Sequence, residues 1–561
     1  MNGLFALIEK KKTPFYTVSG RADCVKWGNN WLIFEGKLFN RNKLIQNYNL
    51  NVTALSDADV VLELFVQKNT SAFALLEGYW SLIIADLDKQ TAFAARDHFG
   101  NNHLYYCKTD TQFGIASECR VLLSSLKNVG KINKNAIFDF LLWGDIGKHQ
   151  QNFFLNIHEL KPSNYLFYSL IDNTFEEKPY YILPYKNCKA GYNEYEEPFY
   201  IDKTRQLILD SVQNNTSGRN KMAIIHNGGI DSSALLCCAK KLNPDLQLIA
   251  FTQENLHNER ESFWTEKIIK HANAKRVKVF CDSKQIIKQL QEINKAQSIP
   301  VFNVETVAQH CIMEAVSQHG FDVVMSGKGA NELFAGHTAY FLPFLKSLRN
   351  QWMFKNWIKE LVSIGNSDVS YKEIIVHKLK KITKKTKLQE LSFLNEEYKN
   401  CFCSDNNIAN KSVLNDYLYE SYTVYLPYIL RWKECAATSF GIESLFPFAN
   451  SKALTEYIFS VPSTFKIHNG WTKYLLRSSM VGIVPDEIRW RKQKSEFYLP
   501  EKQWLNEMGN EIKKYIYQLD DTHNFVNKNS LLDNWENLYT SNNFHFQQFV
   551  FRYYSYLVWS K

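Results

Sequence analysis

The chain has 561 residues, 45% apolar and 22% charged, which places it among ordinary globular proteins of more than one domain and excludes collagen-like, disordered and disulfide-scaffolded classes. Sixty-six Lys and Arg against 57 Asp and Glu leave a formal charge of +9, which permits an anionic ligand but, spread over so large a surface, does not call for nucleic acid. The 11 cysteines show no metal-type spacing: Cys401 and Cys403 stand too close for a zinc knuckle, and Cys237-Cys238 lie in an apolar run, as buried thiols of a reducing compartment do.

In chain order, MNGLFALIEKKKTPF places a short apolar patch ahead of its lysines, the reverse of a signal peptide. No apolar run approaches the ~20 residues that cross a bilayer, so a soluble, cytoplasmic protein without a membrane span is expected. Through residue 125, WLIFEGKLF, YWSLIIADL, QTAFAARD and HLYYCK read as strands and Asp57 to Gln67 has helical spacing, which predicts a layered sheet domain. Residues 126–200 are mixed, and the polar, Tyr-rich stretch from Tyr185 to Tyr200 reads as a linker. From about residue 201 the texture changes. MAIIH, a Gly-rich turn and SSALLCCAKKL read as strand, loop and helix, and LQLIAFT, RVKVF and DVVMSG follow as strands between helical segments. Such alternation predicts a parallel sheet. The last third is mostly helical, and Lys372 to Lys387 form a lysine-rich helical pattern, either a solvated face or a dock for an acidic partner.

The most informative segment is Ala223 to Ala234, AIIHNGGIDSSA. Glycines let backbone N–H groups turn toward a ligand, and hydroxyls at a helix N-terminus add donors and a positive dipole suited to phosphate oxygens. Asp231 could hold Mg²⁺ beside those phosphates. The plainer reading is an N-capped turn, since Asp and Ser are favoured caps. His226 beside the loop reads as a satisfied strand histidine.

Asn227-Gly228-Gly229-Ile230-Asp231-Ser232-Ser233 resembles the SGGxDSS pyrophosphate loop of N-type ATP pyrophosphatases. Ser326 to Gly336, SGKGANELFAG, resembles the asparagine synthetase motif SGxGxDExFxG. IESLFPF (Ile442 to Phe448), GWTKYLLR (Gly470 to Arg477) and VPDEIRWRKQK (Val484 to Lys494) resemble that family's IExRxPF, GxxKxxLR and LPxxIxxRxK, with Leu445 in place of Arg and Lys494 one place late. In the first half, Ser56-Asp57, Leu76-Glu77-Gly78, Ala95-Arg96-Asp97 with Gly100, Leu104-Tyr105-Tyr106 and Ala116-Ser117-Glu118 resemble further landmarks. The order of these elements identifies the chain as a member of the asparagine synthetase B superfamily, which includes β-lactam synthetases and lasso-peptide cyclases.

The resemblance implies an α/β protein: an N-terminal Ntn-type α/β/β/α sandwich, residues 1–190, and a C-terminal parallel-sheet ATP pyrophosphatase (adenine nucleotide alpha hydrolase-like) domain with a helical extension, residues 200–561. It implies ATP and Mg²⁺ as cofactors. It implies Asn227, Gly228, Gly229, Asp231, Ser232, Ser233, Ser326, Gly327, Gly329 and Arg477 as nucleotide-binding positions, Asp231 and Asn331 as metal ligands, and Lys473, Lys328 and Glu332 as catalytic residues. Arg477 and Lys494 equally suit fold-level ion pairs, and Glu443 equally suits a structural role.

The departures from the family pattern direct the functional expectation. Family glutaminases place Cys directly after the initiator Met as an N-terminal nucleophile; here Asn2 follows Met1, and Glu35-Gly36-Lys37 stands, early, where the family has NGE. The N-terminal domain is therefore expected to be structural, with no glutamine hydrolysis. Lys328 stands where asparagine synthetases have Glu and β-lactam synthetases Tyr, which argues against aspartate as substrate. Asn331 replaces the Asp that would share Mg²⁺ with Asp231. The expected function is an ATP- and Mg²⁺-dependent, AMP-forming ligase that adenylates a carboxylate and closes an intramolecular amide of a peptide or peptide-like natural product, as lasso-peptide macrolactam cyclases and β-lactam synthetases do. A peptide or small carboxylate would be the substrate, with a leader-peptide-binding protein and a protease as candidate partners. The alternatives are an amidotransferase using free ammonia on a small acid or sugar uronate, and a non-catalytic scaffold that retains the fold.

Overall fold

A computed structural model describes residues 3–9, 15–19, 22–51, 56–144, 152–185, 191–254, 259–365, 393–395, 413–491, 499–539 and 543–561. Asn2, Lys372 to Lys387, Cys401, Cys403 and Lys494 lie outside the described residues.

The N-terminal half stacks two antiparallel sheets. One has five strands in the order Phe15–Ser19, Gly3–Glu9, Gln112–Ala116, Tyr105–Lys108, Ile157–Glu159; the other has six, in the order Thr174–Pro179, Asn164–Ser169, Thr91–Arg96, Gly78–Asp86, Asn30–Leu38, Ala22–Trp27. Alternate residues point to opposite faces of a strand, so each central strand serves two cores. Ile33, Ile83, Ala94 and Leu166 meet Leu4, Ala6, Phe113 and Ile115 between the sheets. Leu32, Phe34, Leu82 and Ile84 point outward onto the helix Asp57–Lys68. The other outer face packs on the helices Cys119–Ser125 and Lys134–Trp143. This is the expected α/β/β/α sandwich. Three of its strands, Ile157–Glu159, Asn164–Ser169 and Thr174–Pro179, come from the segment whose sequence reads only as mixed.

The C-terminal half is built on a five-stranded sheet, parallel throughout, in the order Lys275–Phe280, Gln247–Glu254, Lys221–Ile225, Val323–Met325, Glu443–Leu445. The strand order reverses between Lys221–Ile225 and Val323–Met325. In open parallel sheets ligands bind at the carboxyl ends of the strands beside such a switch point. Helices cover both faces, so the central strands are buried and read as continuous apolar runs.

The two halves share cores. Tyr79, Phe99 and Leu183 join the large cluster of the C-terminal half, and Arg552 of the helix Phe544–Trp559 donates to Leu141 O (2.8 Å) and Leu142 O (3.0 Å), capping the carboxyl end of the helix Lys134–Trp143. The expected linker is partly structured: the helix Glu197–Thr216 begins inside it, and the ring of Tyr192 stacks on His468 with centroids 3.9 Å apart. No helix among the described residues is long and apolar enough to cross a membrane.

Candidate functional site

At the switch point, the strand Lys221–Ile225 ends and the chain passes through His226-Asn227-Gly228-Gly229 into the helix Ile230–Leu242. Gly228 has φ 73°, a left-handed conformation that side chains resist, and a Cβ there would stand 3.0 Å from Thr265 Oγ1. Asn227 organises the turn: its Oδ1 accepts from Gly229 N–H at 3.3 Å and from Ser232 Oγ–H at 3.1 Å. His226 is buried, its Nδ1 accepts from Gly228 N–H at 3.1 Å, and burial pushes its pKa down to about 3, so it stays neutral. It is the satisfied strand histidine the sequence suggests.

The adjacent strand delivers the second loop. Ser326 N–H donates to Leu445 O at 2.9 Å, tying Ser326 to the last strand of the sheet. A Cβ on Gly327 would stand 2.9 Å from Asp231 Cβ, so the two loops touch there. A third segment closes the site: between the strand Trp471–Thr472 and the helix Tyr474–Ser479, Lys473 takes a left-handed φ of 56°. Its Nζ donates to both oxygens of Asp231, at 2.7 and 2.6 Å. Gly336 lies against this pair, where a Cβ would stand 2.0 Å from Lys473 Cε and 2.1 Å from Asn331 Oδ1.

These segments surround a cavity of about 440 Å³. Of the residues singled out in the sequence, Asn227, Gly228, Gly229, Asp231, Ser232, Ser326, Gly327, Lys328, Asn331, Lys473 and Arg477 line it. Three stand behind the wall. Ser233 Oγ lies 3.3 Å from His226 Nε2, Gly329 (φ 95°) packs on the backbone of Phe448, and Glu332 is buried beside His337 (3.6 Å). Burial works to raise the Glu332 pKa, but His337 and Lys328 hold it below the ordinary value. Arg477 is fixed by Nε donating to Thr472 O at 2.9 Å and by a bond to Arg489 O; burial lowers its pKa to about 10, against the pull of Asp231. Glu443 is structural: it pairs with Arg219 at 2.8 Å and accepts from the Tyr79 hydroxyl of the sandwich.

The cavity also holds residues the sequence does not single out. Arg491, in VPDEIRWRKQK, is clamped by Glu261. Glu305 accepts from Gln309 Nε2 at 2.8 Å and stands 3.7 Å from Lys328 Nζ. Lys433, on the helix Leu426–Thr438, faces the cavity although only 4% exposed. One signal could have found it: Leu426, Leu430, Lys433 and Ala437 fall on one helical stripe, so the lysine sits on the apolar face.

Among the described residues no group of three or more His, Cys, Asp or Glu is placed to hold a metal by itself. The residues present nevertheless fit Mg²⁺ bound together with phosphate oxygens, which needs only one or two protein oxygens. Asn331 Oδ1 is buried without a hydrogen-bond partner, and Asp231 offers a carboxylate in the same cavity.

A glycine loop and helix N-terminus at the switch point of a parallel sheet, faced by a lysine and an arginine, define a nucleotide-phosphate-binding class of α/β domain. A family model described as asparagine synthase matches residues 203–557, and one described as a glutamine amidotransferase domain matches residues 21–181. The chain belongs to the asparagine synthase family, within the asparagine synthetase B superfamily. It is 23% identical over 536 residues to glutamine-hydrolyzing asparagine synthetase 1 of Bacillus subtilis (strain 168), covering 90% of this chain and 81% of that one. It is 21% identical to asparagine synthetase 3 of the same organism (89% and 81% covered), and 23% identical to the amidase chyE of Penicillium rubens (53% and 45% covered). At the level of the family this is an ATP-dependent, amide-forming ligase.

Proposed function

We propose that the chain activates a substrate carboxylate as an acyl-adenylate and closes an amide with an amine of the same molecule, residues 200–561 performing the chemistry and residues 1–190 serving as a structural domain. The observation that carries this reading is the grip of Lys473 on Asp231, which joins two segments of the phosphate-facing cavity. In the first step the carboxylate attacks the α-phosphorus of ATP and pyrophosphate departs. The first turn of the helix Ile230–Leu242, Lys473 and Arg477 would hold the departing charge. Mg²⁺, when bound by Asp231 and Asn331, supplies positive charge against the triphosphate. In the second step the amine attacks the acyl carbon and AMP leaves. With both groups on one molecule this step is effectively unimolecular, an advantage of up to ~7–11 kcal/mol.

Glu35-Gly36-Lys37 favours an amine that does not come from glutamine. Lys37 lies inside the strand Asn30–Leu38 and donates to Ser217 O at 3.1 Å, so it ties the sandwich to the ligase half. The test is substrate-dependent pyrophosphate release with peptides carrying a free amine and a carboxylate, followed by mass spectrometry. The expected product is one water lighter than the peptide and forms without added ammonia or glutamine. A product that requires either would establish the amidotransferase instead.

A further inference from the structure

The hairpin that leads into Lys473 is too small to hold itself. Its strands, Ile467–His468 and Trp471–Thr472, pair only Ile467 with Thr472 and His468 with Trp471. Even a longer two-stranded hairpin is marginal in water on its own. The turn between them, Asn469-Gly470, has φ of 49° and 74°, the two left-handed residues of a two-residue hairpin loop. Its support comes from outside the cavity, from the helix Phe354–Gly365. Glu360 on that helix accepts from Asn469 N–H at 2.8 Å through one oxygen and from Gly470 N–H at 3.0 Å through the other. Gly470 is pressed so close to the helix that a Cβ would stand 2.6 Å from Ser363 O. Glu360 is 4% exposed, and among the described residues no lysine or arginine stands within ion-pair distance of it. His468 Nδ1, at 3.6 Å, is beyond hydrogen-bond reach. A buried carboxylate without a cationic partner is costly unless hydrogen bonds hold it. The pair of N–H groups accounts for an acid here: a carboxylate accepts at both oxygens, whereas Gln accepts at one and turns an NH₂ toward the other N–H.

We propose that Glu360 is a positioning residue for Lys473: by holding both N–H groups of the Asn469-Gly470 turn, it fixes the hairpin that delivers the lysine to Asp231. The inference rests on the ligase reading above for what Lys473 does, and adds a residue that acts on it from outside the cavity. Only Trp471 and Thr472 separate the turn from Lys473, whose Nζ lies 2.7 and 2.6 Å from the two Asp231 oxygens. Thr472 O, in the same strand, accepts from Arg477 Nε at 2.9 Å. A shift of the turn therefore reaches both cations assigned to the departing pyrophosphate.

The experiment is acetylation of the lysines of the full chain with acetic anhydride, read residue by residue by mass spectrometry, for the unaltered protein and Glu360→Gln. Lys473, with its side chain 8% exposed and held by Asp231, should label slowly in the unaltered protein. Glu360→Gln should raise its labelling rate fivefold or more, while Lys433, a buried lysine on another helix, changes less than twofold. Glu360→Asp, shorter by one methylene, serves in place of the Gln variant if circular dichroism shows the latter unfolded. In pyrophosphate release with the peptides described above, Glu360→Gln should cost tenfold or more. The double variant with Lys473→Met should then be no worse than Lys473→Met alone. An unchanged labelling rate at Lys473 overturns the proposal, and so does an equal rise at Lys433, which marks a general loosening. Losses of release that add in the double variant overturn it, since Glu360 would then act elsewhere. Unfolding of both the Gln and Asp variants overturns it as well, leaving Glu360 a role in stability alone. The labelling needs no turnover, so the ligase reading fails separately, by a lack of substrate-dependent pyrophosphate release from the unaltered protein.

Discussion

At Lys473 backbone and side chain are both committed to one carboxylate. The left-handed φ of 56° costs a non-glycine residue about 1–3 kcal/mol, and it persists because the side chain, only 8% exposed, ends on both oxygens of Asp231. Lys473→Met keeps most of the side-chain volume and removes the charge. It is expected to lower substrate-dependent pyrophosphate release about a hundredfold or more, the scale of losing one preorganised donor to a developing anion. Release within about threefold of the unaltered protein would remove Lys473 from the proposed chemistry. Asp231 and Lys473 were legible in the sequence because each sits in a motif with fixed neighbours. Lys433 sits in no such motif, and its only mark in the sequence is the apolar helical stripe it shares with Leu426, Leu430 and Ala437. The change of Asp to Asn at 331 was visible, but not that its Oδ1 would be left without a partner.

Among the elements, the loop from Ser326 to Gly336 holds the tightest approach in the site. A methyl group on Gly336 would overlap Lys473 Cε and Asn331 Oδ1, both on side chains that can give way. Gly336→Ala should therefore fold, with a melting temperature within a few degrees of the original. It should displace Lys473 from Asp231 and cost activity on the same hundredfold scale as Lys473→Met. Because both changes break one contact, the double variant should be little worse than either single one. Pyrophosphate release of the singles and the double measures this, and additive losses would show that Gly336 acts elsewhere. The strands of the parallel sheet were legible because burial on both faces writes them as apolar runs. The three-residue strand Glu443–Leu445 was visible only as a motif, being too short to show a period. Thr174–Pro179, an edge strand with most side chains in water, carries the polar sequence TFEEKP and no alternation.

For the molecule as a whole, what joins the halves is partly electrostatic, and it sets a pH dependence. Glu159 of the sandwich meets Arg96 (2.9 Å), His103 (2.9 Å) and, from the ligase half, Arg431 (3.1 Å). Burial works to raise the Glu159 pKa, but these partners, Arg431 foremost, hold it well below the carboxylate range. Burial also lowers five histidines far from an ordinary 6.5, His98 and His226 to about 3 and His103, His310 and His468 to about 4, and lowers His158 less. Folded, they stay neutral down to about pH 4; unfolded, they take up protons below about 6.5. The unfolded state thus binds more protons across that window, so stability rises with pH and is lost as pH falls. At the limit each histidine contributes about 1.4 kcal/mol per pH unit, and the five together about 7. Glu360, whose pKa burial raises, works in the opposite direction near its own titration, while the depressed Glu159 adds to the loss below about pH 4.5. Tryptophan fluorescence should therefore report an unfolding temperature that changes little from pH 7.5 to 6.5 and falls steeply from 6.5 to 5, before most carboxylates titrate. His98→Asn, which removes one of the five groups, should make that fall shallower by about a fifth. A flat profile between pH 7 and 5, or an unchanged slope in the variant, would mean that these histidines are not held neutral by the fold.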